Sequence, residues 1–402
     1  MKHLTGWIAL AAFLGCGTAQ AQVSDGVVKL GVLNDMSSLY ADIGGKGSVL
    51  AAQMAADDVG GKVLGAPIEI ISGDHQNQPD IGAGIARRWI DVDHVDAIVD
   101  VPTSSVALAV QEVTRTKKHI FLMSGPASSD LTGKACSPYG FQWTYDTYAL
   151  AHGTGGAMVG KGGDSWFFVT ADYAFGHALE RDTGDAVKAA GGKVLGDVRV
   201  PLNTQDFSSF LLQAQGSKAK VIGLANAGGD TINSIKQAAE FGIVSGGQKL
   251  AGLLVFLTDV HALGLNTAQG LTITSAWYWD KDDASRAFAK RFMAKHGAPP
   301  TYTQAGVYSA VSHYLKAIKA AGSDDADKVS AEMRKIKIND FMTRDGWIRE
   351  DGRIMRDMYL AEVKTPAESK YPYDYFKILA TIPADKAFRP LQDGGCPLVK
   401  QN

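Results

Sequence analysis

The stretch AIVDVPTSSVALAVQEVTRTKKHIFLMSGPASSDL, residues 97–131, decides how the chain is read. Its two apolar runs, Ala97 to Val101 and Ile120 to Met123, show no alternation of polar and apolar side chains. Such runs read as strands buried on both faces, which means a parallel sheet covered by helices on both sides. A helical pattern led by Val106 to Val110 separates them, and each run ends in a turn of Pro, Gly, Ser and Thr. The unit is strand, helix, strand.

The same alternation extends in both directions. Val28 to Asn34 reads as a strand, Gly47 to Val59 as a helix, Ile68 to Ser72 as a strand and Ile81 to Val92 as a helix. A second series follows: strand Ser165 to Thr170, helix Gly176 to Ala190, strand Lys193 to Val200, helix Phe207 to Ala214, strand Val221 to Ala225, helix Asp230 to Phe241 and strand Leu250 to Phe256. Two series predict an α/β protein of two doubly wound lobes. Phe141 to Thr144, Leu271 to Trp277 and Met358 to Val363 stand outside the series and read as three crossings between lobes. The first lobe is then expected from 22–143 plus 272–357, the second from 144–271 plus 358–402, with a cleft between them.

The composition excludes several classes. With 402 residues, 46% of them hydrophobic, the chain can build more than one core, which a disordered chain cannot. Forty Lys and Arg against 42 Asp and Glu leave a net charge of −2 and no basic face for nucleic acid. Leu250 to Thr258 is much shorter than the ~20 residues of a membrane helix. Lys2-His3, the apolar WIALAAFL of residues 7–14 and the small residues Ala19 and Ala21 form an export signal, with cleavage expected after Ala21. A rival lipid-attachment reading, FLGC ending at Cys16, has Phe where Leu is usual. Periplasmic export makes the two remaining cysteines, Cys136 and Cys396, readable as one disulfide closing most of the chain into a loop. The chain-entropy picture gives about 5 kcal/mol for so long a loop.

Catalytic and metal motifs are missing. No H-E-x-x-H, no paired-Cys zinc spacing and no G-x-S-x-G occurs, and no G-x-G-x-x-G follows the first strand. GGAMVGK, residues 155–161, has phosphate-loop spacing, but Gly162 stands where Ser or Thr is needed; it reads as a glycine-rich loop. Asp74-His75 has no partner ligand nearby and reads as a surface turn. An enzyme, a metal site and a cofactor are therefore not expected.

A binding site is better supported. Ligands of open α/β sheets sit beyond the carboxyl ends of strands. Two such ends carry hydroxyl clusters: Thr103-Ser104-Ser105 and Ser124 to Asp130. Free N–H groups at a helix start, small residues and hydroxyls together suit a carboxylate. The plainer reading is helix capping by Ser and Thr, but two adjacent ends share the chemistry. The facing lobe offers rings at Tyr148, Tyr173, Phe175 and Trp277-Tyr278-Trp279 for an apolar or ring-bearing ligand.

These segments resemble the extracytoplasmic solute-binding proteins of branched-chain amino-acid-type ABC transporters, with the type I periplasmic-binding-protein fold. The markers are VLNDMSSLYADIG (32–44), similar to the family's P-L-S-G-x-x-A-x-x-G start, GKVLG (61–65), SGPASSDL (124–131) and DYAFG (172–176). The resemblance covers essentially the whole exported chain. It implies a carboxylate-binding serine at Ser104 or Ser105, donors at Ala127, Ser128 and Ser129, an aromatic at Phe175 and a first-lobe contact at Tyr40. Family members that bind amino acids hold the ammonium with a second-lobe acid, for which Asp259 and Asp230 are the candidates. If neither faces the cleft, the ligand is a carboxylate without an amine, such as an aromatic acid. Ala225-Asn226-Ala227-Gly228-Gly229 lacks the bulky residue common there and leaves room for a larger ligand. The expected partners are membrane permease subunits of the transporter, and the expected state is a monomer. A ligand sensor presenting its solute to a receptor or kinase is the alternative.

Overall fold

The computed structural model describes residues 23–400, so the Ala21 cleavage site and Cys16 lie outside the described residues. β1 (Val28–Asn34), β2 (Lys62–Val63), β3 (Ala66–Asp74), β4 (Ala97–Asp100), β5 (Ile120–Met123) and β6 (Gly140–Gln142) form one sheet in the order β2-β3-β1-β4-β5-β6. All its pairings are parallel except β2 with β3. β7 (Ser165–Ala171), β8 (Lys193–Val200), β9 (Val221–Ala225) and β10 (Lys249–Gly252) form a second parallel sheet in the order β10-β9-β7-β8. β11 (Thr272–Ser275), β14 (Met358–Val363) and β15 (Phe376–Ile382) add an antiparallel sheet, and β12 (Trp347–Ile348) pairs with β13 (Ile354–Met355).

Helices cover both faces of each parallel sheet. In the first lobe α1 (Gly45–Asp58) lies on one face, and α2 (Pro79–Asp91) and α3 (Ser104–Lys117) lie on the other. Trp89 of α2 presses its ring onto β1 and β3, where a Cβ at Gly31 or Gly73 would come within 2.4 and 2.9 Å of it. α4 (Thr147–Leu150) passes through a π-helical turn, Ala151–Gly155, into α5 (Gly156–Gly160). α6 (Ala174–Ala189), α7 (Ser208–Gly216), α8 (Gly229–Glu240), α9 (Leu257–Leu263) and α10 (Leu265–Ala268) complete the second lobe, whose core also takes Ile273, Ala361 and Phe376 from the antiparallel sheet. α11 (Asp283–His296), α12 (Tyr302–Ala321) and α13 (Ala326–Lys335) return to the first lobe, with α12 packed along α1.

The chain passes between these groups of elements just after β6, just after β11 and just before β14. Two buried arginines hold these passages together. Arg353 donates from Nη1 to the Tyr145 carbonyl at 2.8 Å. Arg356 donates from Nη2 to the carbonyls of Ala276 at 2.7 Å and Met342 at 2.8 Å. After β15 and the short α14 (Ala384–Ala387) the chain comes back to the first lobe once more. Arg389 donates to the Ser129 carbonyl at 3.0 Å, and Cys396 is disulfide-bonded to Cys136, 260 residues earlier.

Several local expectations need correction. Residues 155–160 are helical, not a loop; a Cβ at Gly156 or Gly160 would meet open space, whereas one at Gly153 just before them would lie 2.2 Å from Thr274 Oγ1. His75 is fully buried rather than on a surface turn, and burial pushes its pKa down to about 4. The strand expected over Leu250 to Phe256 stops at Gly252, opposite Leu224, one residue before its partner β9 ends. Of the three stretches read as crossings, Met358 to Val363 is strand throughout, Leu271 to Trp277 is strand over Thr272–Ser275, and Phe141 to Thr144 is strand only to Gln142.

Candidate functional site

β1, β4 and β5 end together, and the loops beyond them are stitched by one buried carboxylate. Asp100 Oδ2 accepts from Asn34 Nδ2 at 2.7 Å and from Ser48 Oγ at 2.5 Å, and burial pushes its pKa up to about 6. Asp100 and Val101 both take positive φ, 77° and 60°, immediately before Pro102. Non-glycine residues there cost roughly 1–3 kcal/mol each and cluster at functional sites. The bend delivers Pro102 beside Gly125: a Cβ on that glycine would lie 2.7 Å from the Pro102 Cα. The two hydroxyl-bearing turns are thus neighbours, and the Ser128 N–H donates to Ser104 Oγ at 3.2 Å.

A cavity opens between these turns and the second lobe. Tyr40, Ile43, Pro102, Gly125, Ala127 and Tyr145 line it from one side, and Tyr173, Phe175, Ala227, Leu254 and Phe256 from the other. Phe256 stacks on Tyr302 with ring centres 4.7 Å apart, and Tyr145 meets Tyr302 edge-on at 5.1 Å. Tyr145 also donates its hydroxyl to the Gly125 carbonyl at 2.7 Å, which fixes its ring. The cavity volume is about 20 Å³, near what one water requires. An organic acid enters only if the lining side chains or the lobes move outward.

The expected site residues separate into two groups. Tyr40, Ala127, Tyr173 and Phe175 line the cavity. The others lie outside its wall. Ser104 and Ser128 are buried, and the Ser128 hydroxyl accepts from the Asp130 N–H at 3.3 Å. Ser129 bridges the lobes, donating to Asp182 at 2.7 Å and accepting from Arg181 at 2.8 Å. Ser105 lies half-buried in the first turn of α3. Tyr148 stacks on His152 at 3.7 Å, and the Asn226 amide is bonded to Ser234 and Thr231. Trp277 is buried and donates to Ser285.

Both candidate acids are turned onto backbone. Asp259 Oδ2 accepts from the Phe256 N–H at 2.8 Å, at the start of its own helix. Asp230 Oδ2 accepts from the Asn203 N–H at 3.1 Å, and its Oδ1 has no partner among the described residues. Burial pushes each pKa up to about 7. Neither residue lines the cavity, and no acidic side chain does among the described residues. Leu254 and Phe256, which occupy the end of that strand run, went unread because the run looked like continuous strand; Tyr145 follows the first lobe's edge strand closely enough to have been noticed.

The glycine-rich turn at 225–229 does not widen the cavity. The first-lobe loop fills the space: a Cβ on Gly228 would lie 2.7 Å from the Leu39 carbonyl oxygen and 3.1 Å from the Tyr40 ring. The Tyr40 and Tyr173 hydroxyls, one from each lobe, are hydrogen-bonded at 2.6 Å.

Comparison with known proteins agrees with this architecture. The periplasmic binding protein family profile matches residues 27–370. A periplasmic binding protein from Burkholderia mallei is 54% identical, with a TM-score of 0.92 over 93% of this chain and 100% of that one. A branched chain amino acid ABC transporter periplasmic ligand-binding protein from Burkholderia xenovorans is 44% identical, with a TM-score of 0.82 over 92% and 99%. A solute binding protein of an ABC transporter from Rhodopseudomonas palustris, in complex with p-hydroxybenzoic acid, is 25% identical, with a TM-score of 0.80 over 89% and 97%.

Proposed function

The chain belongs to the periplasmic binding protein family, and from that premise we propose that it is the extracytoplasmic solute-binding component of an ABC transporter and captures a small aromatic carboxylic acid without an amine. One observation carries the choice of ligand. Five lining residues are aromatic, Leu254 and Phe256 stand in the second-lobe wall, and neither candidate acid lines the cavity, each accepting instead from a main-chain N–H. An ammonium held there would lose its water without gaining a counter-charge, at a cost of several kcal/mol. A flat ring loses nothing and gains contact on both faces. The relative crystallised with p-hydroxybenzoic acid supports the reading.

In this reading the carboxylate is received by the first lobe, at the start of α3 and the Gly125–Ala127 turn, where helix-end N–H groups and the helix dipole favour an anion. The second lobe closes over the ring with Tyr173, Phe175 and Phe256. The lobes rotate about the three passages, with the segment after β15 lying against the first lobe. A micromolar affinity is worth about −8 kcal/mol. Shifting an open-to-closed ratio from 1:99 to 99:1 needs about 5.5 kcal/mol of differential binding, so capture can drive closure. A membrane permease then receives the closed form outside the cytoplasm, after removal of the leader. A thermal-shift screen with benzoate, 4-hydroxybenzoate, leucine, isoleucine and valine tests the proposal. Benzoates are expected to raise the melting temperature and the amino acids to leave it unchanged; a shift with the amino acids alone overturns the amine-free ligand.

A further inference from the structure

Two glycines outside the cavity wall approach the opposite lobe more closely than a side chain would permit. Gly228 has φ 57° and ψ −131°, a conformation open to glycine alone, and its α-carbon faces the Leu39 carbonyl. Gly229 opens α8 outside the left-handed region; a Cβ there would fall 2.8 Å from Leu39 Cδ1. The neighbouring Tyr40 reaches across to Tyr173. We infer that Gly228 and Gly229 are the seat on which the first-lobe Leu39–Tyr40 loop lands as the jaw shuts, and that this seat sets how firmly a ligand is retained. The inference rests on the capture reading above. Neither glycine lines the cavity, so each acts as a positioning residue.

The geometry gives the seat its leverage. A separation of even 0.5–1 Å forfeits about a quarter to a half of a van der Waals contact. At the upper end of that range the Tyr40–Tyr173 bond, 2.6 Å when closed, is stretched past useful length. A methyl group at Gly228 therefore opposes closure without touching the ligand, and one at Gly229 does so by displacing the Leu39 side-chain tip from its packed position. The two positions fail differently, however. At Gly229 the obstacle is the tip of the Leu39 side chain, which can be trimmed; at Gly228 it is the Leu39 main chain, which cannot. Alanine at Gly229 also favours the local helix, so stability and retention are expected to move in opposite directions.

The test is a mutant cycle on the full exported chain, reading affinity and dissociation rate with benzoate and with leucine as probes. Gly229→Ala is expected to weaken binding of the probe the wild type accepts by about tenfold, through faster dissociation, because closure and affinity are coupled. Its melting temperature without ligand should be unchanged or higher. Adding Leu39→Ala should restore affinity to within about threefold of Leu39→Ala alone, the signature of a direct contact. Gly228→Ala should stay weakened in the same background. Affinity of Gly229→Ala within about twofold of wild type, or a loss that Leu39→Ala leaves unrepaired, overturns the seat while leaving the capture reading intact. A wild-type chain that binds neither probe overturns the capture reading, and the seat with it.

Discussion

Asp230 shows what a single side chain contributes and what its letter conceals. Its carboxyl is buried, half-partnered and pushed up to about 7 by that burial. The unfolded value is about 3.9. Between those values the native chain holds more protons at this position than the unfolded chain, so its contribution to stability falls as pH rises toward 7. Asp230→Asn keeps an acceptor for the Asn203 N–H and removes the charge. It should stabilise the protein by about 1–3 kcal/mol at pH 8 and by about a third as much at pH 5, as read by urea denaturation at both values. A variant destabilised equally at both values would contradict this. The sequence marked Asp230 and Asp259 as ligand candidates because each follows a second-lobe strand. It could not say which way a carboxylate turns, and both turn onto main-chain N–H groups. Tyr173 and Phe175 were legible because they stand just past a strand end, at the N-cap and in the first turn of α6, where the sheet fixes their direction; Tyr40 and Ala127 followed from the family resemblance.

Among the elements, α12 carries the most weight for the site. Its N-cap hydroxyl, Thr301 Oγ1, accepts from the Gln304 N–H at 3.2 Å and donates to the Ile43 carbonyl at 2.7 Å. Gln304 Nε2 donates to the Gly44 carbonyl at 3.1 Å. One helix end thus holds the loop that presents Tyr40 and Ile43 to the cavity. Thr301→Ala should cost about 1–2 kcal/mol in denaturant unfolding. It should also weaken ligand binding several-fold by calorimetry; a stability loss with unchanged affinity would separate the loop from the site. This helix was not read from the sequence because most of its side chains are buried, which removes the contrast between wet and dry faces on which periodicity depends. Its ends carried the signal: Thr301 and Gln304 form a capping box, and Gly322 ends it in the left-handed conformation. The strands fared better. β1, β5 and β9 begin and end where their apolar runs do, because strands flanked by helices have no wet face to blur their limits.

For the molecule as a whole, the two-lobe pattern was legible from alternation alone, whereas the return of the tail was not. Only the pair Cys136 and Cys396 hinted at it, and the contacts of Arg389 with the first lobe follow from no local motif. Cys136→Ser is expected to lower stability by about 2–5 kcal/mol. Ligand affinity should stay within about twofold of wild type, since neither cysteine lines the cavity. Matching melting curves with and without reductant would contradict the bond's contribution.

That sulfur bridge has one more effect on the molecule. All the passages between lobes, and the whole of the second lobe, lie inside the ring it closes. A protease that severs one peptide bond anywhere inside the ring produces two new chain ends but no second molecule. The nicked product gains only the mass of one water, and its pieces part only when the bridge is reduced.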